Sequence, residues 1–383
     1  MKNLFDERCI TYSQMNLINN LRIFFRRFSI WIRAYIISRY VGVGTEEELF
    51  GRLYLESIDF GDILHVIFGR ELAAQFTLLL NQFTFILRDL ITAQLAGNTE
   101  AVNENVNRLY QNFDEIAEFL ASINPYFDVN EWKNMLHTYL QYILEDANMF
   151  IIGNFEEAIA INDRLLEITE QMGYVFAEGL FDYMTSGSPG APPEGGEGCF
   201  TLEQLNDINR IRSIWFDLVT WVRNLMLSKY FRIGNEDAVL ARLRRVPVDF
   251  LDALRNVFGD LPVFTSYQQE FDTYVDLIDA LINAHMEGST EEINRITQRL
   301  YLDADRRAAF FSSLYPEFWD ENEVRTRLYN NLRSTLDEST SFLAEDFARN
   351  MDIYSTLLDQ AESISDFVAE GLVRYIESQR QSS

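Results

Sequence analysis

Three histidines, His65, His137 and His285, are the only imidazoles in this 383-residue chain, and none has a partner at ligand spacing. A zinc or di-iron site in a helical protein needs several ligands projected from facing helices at turn spacing. Neither His-x-x-x-His nor Glu-x-x-His occurs, so each histidine reads as a surface or helix-end residue. Nucleophilic triads are left without a base, and no Gly-x-Ser-x-Gly elbow offers a serine. The phosphate-cradling patterns Gly-x-x-x-x-Gly-Lys and Gly-x-Gly-x-x-Gly are also missing.

What remains for chemistry is arginine and carboxylate. Trp31-Ile32-Arg33 returns as Trp221-Val222-Arg223, and Asp146 matches Glu338. Asp366 is a further acid in the second half, although its counterpart is Tyr174. Facing each other across a helical interior, Arg33, Asp146, Arg223, Glu338 and Asp366 would make a remnant polar site left from an ancestral ligand pocket. The plainer alternative, preferred here, is a set of structural ion pairs that fix helix register at some cost in stability.

The elements that must position these residues occur twice. Cys9 to Arg22 returns as Cys199 to Arg212, an offset of 190, and the match continues along the chain with offsets of 191 and 192. A repeat of this length is two copies of a whole domain. Helical period runs through both: Leu21, Phe24, Phe25, Phe28, Trp31, Ile32 and Tyr35 form one stripe, with Arg22, Arg26, Arg27 and Arg33 falling largely off it. Gly44 and Gly234 end the first helices. Thr45-Glu-Glu-Glu and Asn235-Glu-Asp then open a short helix in each copy. A second short helix is expected from Asp59-Phe-Gly-Asp and Asp249-Phe-Leu-Asp to Gly69 and Gly259. Gly97-Asn-Thr-Glu and Gly288-Ser-Thr-Glu split two long helices, Asn124-Pro125 and Tyr315-Pro316 mark the next break, and a final helical pair follows. The expected fold is all-α: two tandem homologous helical bundles, 9–184 and 199–379, joined by a flexible acidic Gly/Pro-rich linker at 185–198.

Composition narrows the partners. The formal charge is −27, from 59 acids against 32 bases. A nucleic-acid groove needs the opposite sign, so no nucleic acid is expected. Arg22, Arg26, Arg27, Arg33 and Arg39 accompany many aromatics, as in helices that lie on membranes. The second copy keeps the aromatics but brings in Asp207 and Asp217, which argues against membrane-surface contact. No run reaches the ~20 apolar residues of a spanning helix, and the opening Met-Lys-Asn-Leu-Phe-Asp-Glu-Arg has no signal-peptide core. The two cysteines, Cys9 and Cys199, are too few for a disulfide framework and read as small buried thiols in a reducing compartment; a bridge between them, the less favoured alternative, would need the two helix starts to meet near the axis relating the copies. The localisation expected is intracellular and soluble, or within a particle assembled in the cytoplasm.

Leu21-Arg22, Trp31-x-Arg33, Ile36-Ile37-Ser38, Gly97-Asn98-Thr99, Ala117 to Pro125 and Glu178-Gly179 carry a resemblance. The repeat unit resembles a poorly characterised family of ~180-residue helical proteins common in spore-forming bacteria, often labelled acetylglutamate kinase. That activity needs an α/β nucleotide fold, which the helical pattern does not provide. The family pattern places a histidine three residues before Trp-x-Arg and another in the core of the helix near 130–152. Those positions hold Phe28 and Leu218, then Tyr139 and Asn331. If the family binds a metal or small ligand there, the resemblance implies that both copies have lost the ligands.

The function expected is a non-enzymatic structural or interaction protein: a scaffold, coat or virion-associated component that uses protein partners and no cofactor. The alternative is a ferritin-like metal- or small-ligand-binding bundle with a degenerate site at Arg223, Glu338 and Asp366. An enzyme built only on Arg, Asp and Glu forms a third class without a positive sign.

Overall fold

The computed structural model describes residues 10–185 and 199–381. Among the described residues the fold is all-α, with α1 (Tyr12–Val41), α2 (Glu46–Phe68), α3 (Arg70–Leu95), α4 (Thr99–Ile123), α5 (Val129–Ile151), α6 (Phe155–Met184), α7 (Leu202–Tyr230), α8 (Glu236–Phe258), α9 (Val263–Glu287), α10 (Thr290–Leu314), α11 (Glu321–Leu343) and α12 (Phe347–Gln381). The only strand-like feature among them is one isolated antiparallel pair, Ile10 with Phe200. Cys9 and the linker residues 186–198 lie outside the described residues. Thr185 is the C-cap of α6.

The chain divides into two compact units, one holding α1–α6 and the other α7–α12 together with Ile10 and Thr11. In the first, α1 packs against α2, α3, α5 and α6; in the second, α7 packs against α8, α9, α11 and α12. The opening helix of each unit is thus enclosed. It follows that Arg22 and Arg26, expected off the apolar stripe, are buried rather than solvated. A helix surrounded by others has no outer face on which to place its charges.

Local chemistry sets the helix ends. Thr201 opens α7 with a capping box to Gln204, Asn98 accepts from the Ala101 amide at 3.1 Å, and Asp128 accepts from Glu131 at 2.8 Å. Gly97 and Gly288 take positive φ at the ends of α3 and α9.

One expectation fails in both copies. The two short helices are a single 23-residue helix, α2 in one unit and α8 in the other. Asp59 lies inside α2 and caps nothing, because the buried stripe Leu49, Leu53, Phe60 and Leu64 runs through it without a phase break. Gly61 lets α3 approach: a Cβ there would sit 2.0 Å from Thr77 Oγ1.

The cysteine expectation is also corrected. Cys199 is disulfide-bonded, so it is not a buried thiol.

Candidate functional site

Arg33 projects from the middle of α1 onto α5, where its Nε donates to Asp146 Oδ2 at 2.8 Å. Its Nη2 reaches Asp146 Oδ1 at 3.5 Å, so the contact approaches the two-pronged geometry that arginine makes with carboxylates. Burial pushes the Asp146 carboxyl above its ordinary value, and Arg33 pulls against that shift.

The matched pair is more deeply enclosed. Arg223 Nη1 donates to Glu338 Oε1 of α11 and, at 2.8 Å, to Asn350 Oδ1 of α12. Its guanidinium lies over the Phe342 and Tyr354 rings, 4.8 and 4.3 Å from their centroids. Asn350 in turn donates to Ser341 Oγ at 2.9 Å. Burial raises the Glu338 carboxyl, with Arg223 opposing, and Glu338 Oε2 has no hydrogen-bond partner. Copy one has Ala158 where Asn350 stands and Asn162 where Tyr354 stands.

Asp366 does not join this group. It pairs with Arg212, and its side chain is 55% exposed. Arg212 precedes Arg223 on α7 by three turns, roughly 16 Å along the helix. The corresponding Arg22 sits 5.1 Å from the centroid of the Tyr174 ring, a cation–π contact at the position where Asp366 stands in the second copy. Arg33 and Asp146 therefore meet, as do Arg223 and Glu338, while Asp366 belongs to a separate pair.

Sequence reasoning missed several interior charges. Trp31 Nε1 donates to Glu56 Oε1 at 2.9 Å, and Arg27 lies 3.9 Å from the same carboxylate. In the other unit the position of Arg27 is taken by Asp217, which pairs with Arg242 of the second helix at 3.1 Å, with Arg242 over Trp221, while the position of Glu56 holds Val246. Asp303 and Arg307 form a further buried pair within α10, 2.8 Å apart, though neither atom is aligned for a hydrogen bond. Charges at core positions of the helical period were the available signal. Asp217 did interrupt the aromatic stripe, but its partner sits on another helix.

A third polar cluster includes a histidine. His285 Nδ1 is 2.6 Å from Ser339 Oγ, which also meets Tyr230 Oη. Burial lowers the His285 pKa and raises that of Tyr230 to about 12, so both are neutral near pH 7. With both groups neutral, Ser339 Oγ bridges the Tyr230 hydroxyl and the imidazole by hydrogen bonds. Copy one replaces this chain with one bond, Tyr40 Oη to Gln94 Oε1. Tyr139 meets Ser29 Oγ at 2.8 Å in the core of the first unit.

The class defined by this architecture is an all-α helical bundle protein whose paired interior charges connect helices distant in sequence. Among the described residues no group of three or more His, Cys, Asp or Glu side chains is placed to hold a metal ion, and no helix is long and apolar enough to cross a membrane. No protein-family model, curated protein or solved structure matches the chain.

Proposed function

We propose that this chain is a non-enzymatic structural or interaction protein, a covalent pseudo-dimer of helical bundles that serves as a scaffold, coat or particle component. The observation that carries this proposal is a difference between matched surfaces. On α2 and α3, Tyr54, Leu78 and Phe85 are 43%, 58% and 41% exposed, and Leu78 lines a groove of about 460 Å³ with Ile58, Asp62, His65, Arg70 and Asn81. The equivalent positions on α8 and α9 hold Arg244, Gln269 and Asp276, and Arg244 pairs with Asp276. The fold is built with a charged surface there in one unit, so folding does not require an apolar one in the other. Exposed apolar clusters mark contact with other molecules. Duplication leaves one copy to keep the bundle while the other diverges toward a protein partner, held at high effective concentration by the chain itself.

The test combines Leu78→Gln with Phe85→Asp, importing the residues of the second copy. Wild-type protein purified from its native source should run in a larger assembly, and the double variant should run alone with unchanged thermal stability. A wild-type chain that is free and monomeric in its source would overturn the proposal. A stoichiometric transition metal on the purified chain would favour the ferritin-like alternative instead.

A further inference from the structure

The groove between α2 and α3 is not uniformly apolar. Ile58, Ala73 and Leu78 supply apolar walls, while Asp62, His65, Arg70 and Asn81 bring polar groups to the same place. Asn81 is only 9% exposed, and its Oδ1 has no hydrogen-bond partner. The side chains of Asp62, His65 and Arg70 also make no hydrogen bond or ion pair among the described residues. A buried carboxamide normally finds partners, because an unpaired one forfeits the hydrogen bonds that water would give it.

The second copy closes the equivalent place. Phe264, fully buried, stands at the position of Ala73. Asp252 and Arg255, at the positions of Asp62 and His65, pair with each other at 2.8 Å, and the Arg255 guanidinium lies 5.9 Å from the Phe264 ring centroid. Asp272 replaces Asn81 and accepts from Gln268 Nε2 at 3.3 Å. At these three polar positions copy two engages what copy one leaves open.

The open groups differ in kind. Arg70 only donates, the Asp62 carboxylate only accepts, and the Asn81 carboxamide does both. A lone anion or a lipid headgroup would leave one sort unmatched. An extended peptide offers both along its length, because its N–H and C=O groups are free. A helix offers neither from its middle, where the amides already bond to one another. Along α3, Asn81 lies about 16 Å from Arg70, a length that roughly five extended residues span. We propose, on the reading of the α2/α3 face as a protein contact, that this groove binds an extended peptide segment of the partner. An apolar side chain of that segment packs against Ile58 and Leu78, and its backbone amides are met by Asn81, Asp62 and Arg70. Backbone hydrogen bonds then supply affinity, and the apolar side chain supplies selectivity.

A phage library of random linear heptapeptides, selected on the full-length chain, supplies the probe. Selected peptides should share an apolar residue, and transferred NOEs from a synthetic copy should show an extended bound backbone. Asn81→Leu should weaken that peptide roughly tenfold by removing the partner of its amide. The same change should raise the thermal midpoint of the free chain by roughly two degrees, since it deletes a buried carboxamide without a partner. A midpoint that falls instead would make Asn81 a packing residue and overturn the proposal. Leu78→Gln, at an exposed position, should abolish binding with the midpoint unchanged, and it decides the matter should Asn81→Leu fold poorly. No enrichment, peptides that bind wild type and both variants alike, or peptides that bind as helices would each overturn the proposal. A chain that runs in a larger assembly in its native source yet takes no such peptide keeps the scaffold reading and loses this one.

Discussion

Burial holds the His285 imidazole below its ordinary value, because a charged ring there loses solvent. As pH falls below about 6.5, the unfolded chain takes up its proton first. Folded stability then declines down to the depressed folded value, and this group adds no pH dependence above neutrality. His285→Gln, which installs the residue copy one uses at Gln94, should remove that acid-side loss; denaturant melts at pH 7 and pH 5.5 would show the two proteins converging or not. The Arg223–Glu338 pair should respond differently, to substitution. Arg223→Met leaves a buried carboxylate with no cation and is expected to cost about 3–5 kcal/mol, whereas adding Glu338→Leu should recover most of it. If the double variant is no more stable than the single one, the pair is not an isolated ionic contact.

At the scale of elements, close approach explains residues that composition leaves unexplained. Gly179 on α6 receives the Phe127 ring and Gly371 on α12 receives Trp319, each so closely that a Cβ would lie 2.1 Å from the aromatic atom. Asn124 adds a bond to the Gly179 carbonyl at 2.8 Å. The Ser-Ile-Asn-Pro and Glu-Gly motifs are therefore two sides of one contact. Gly179→Ala and Gly371→Ala should each destabilise by about 1–3 kcal/mol through overpacking. Gly51 is the contrast: it lies within α2 with open space around it, so Gly51→Ala should stabilise by about 0.4–1 kcal/mol. Urea unfolding of the three variants measures both signs. Helix ends were legible because caps and glycines act on their own backbone. The merging of two expected short helices into α2 was not, since a capping residue and an interior aspartate look alike until the turn is either made or not.

Across the whole molecule, net charge and surface character are distributed differently from the fold. Both copies keep Trp-x-Arg, the capped turns and the aromatic-on-glycine contact, while their α2/α3 and α8/α9 surfaces differ in kind. Phe85→Asp belongs at this scale because it changes a surface and no core. Phe85 is exposed and its counterpart Asp276 is exposed, so stability should stay within about 0.5 kcal/mol while association is lost. A variant that melts early would place Phe85 in the packing of its own unit, where it does touch Phe50 at 5.3 Å.

The sequence by itself determined the all-helical class, the internal repeat and most helix boundaries. These depend on period, caps and left-handed glycines, all of which act over a few residues. The tertiary structure decided which arginine meets which acid, that Asp366 answers Arg212, and that Cys199 is bonded. Arg33 and Asp146 are 113 residues apart and Arg223 and Glu338 are 115 apart. No local pattern encodes such pairings, because they follow only from how the helices are packed.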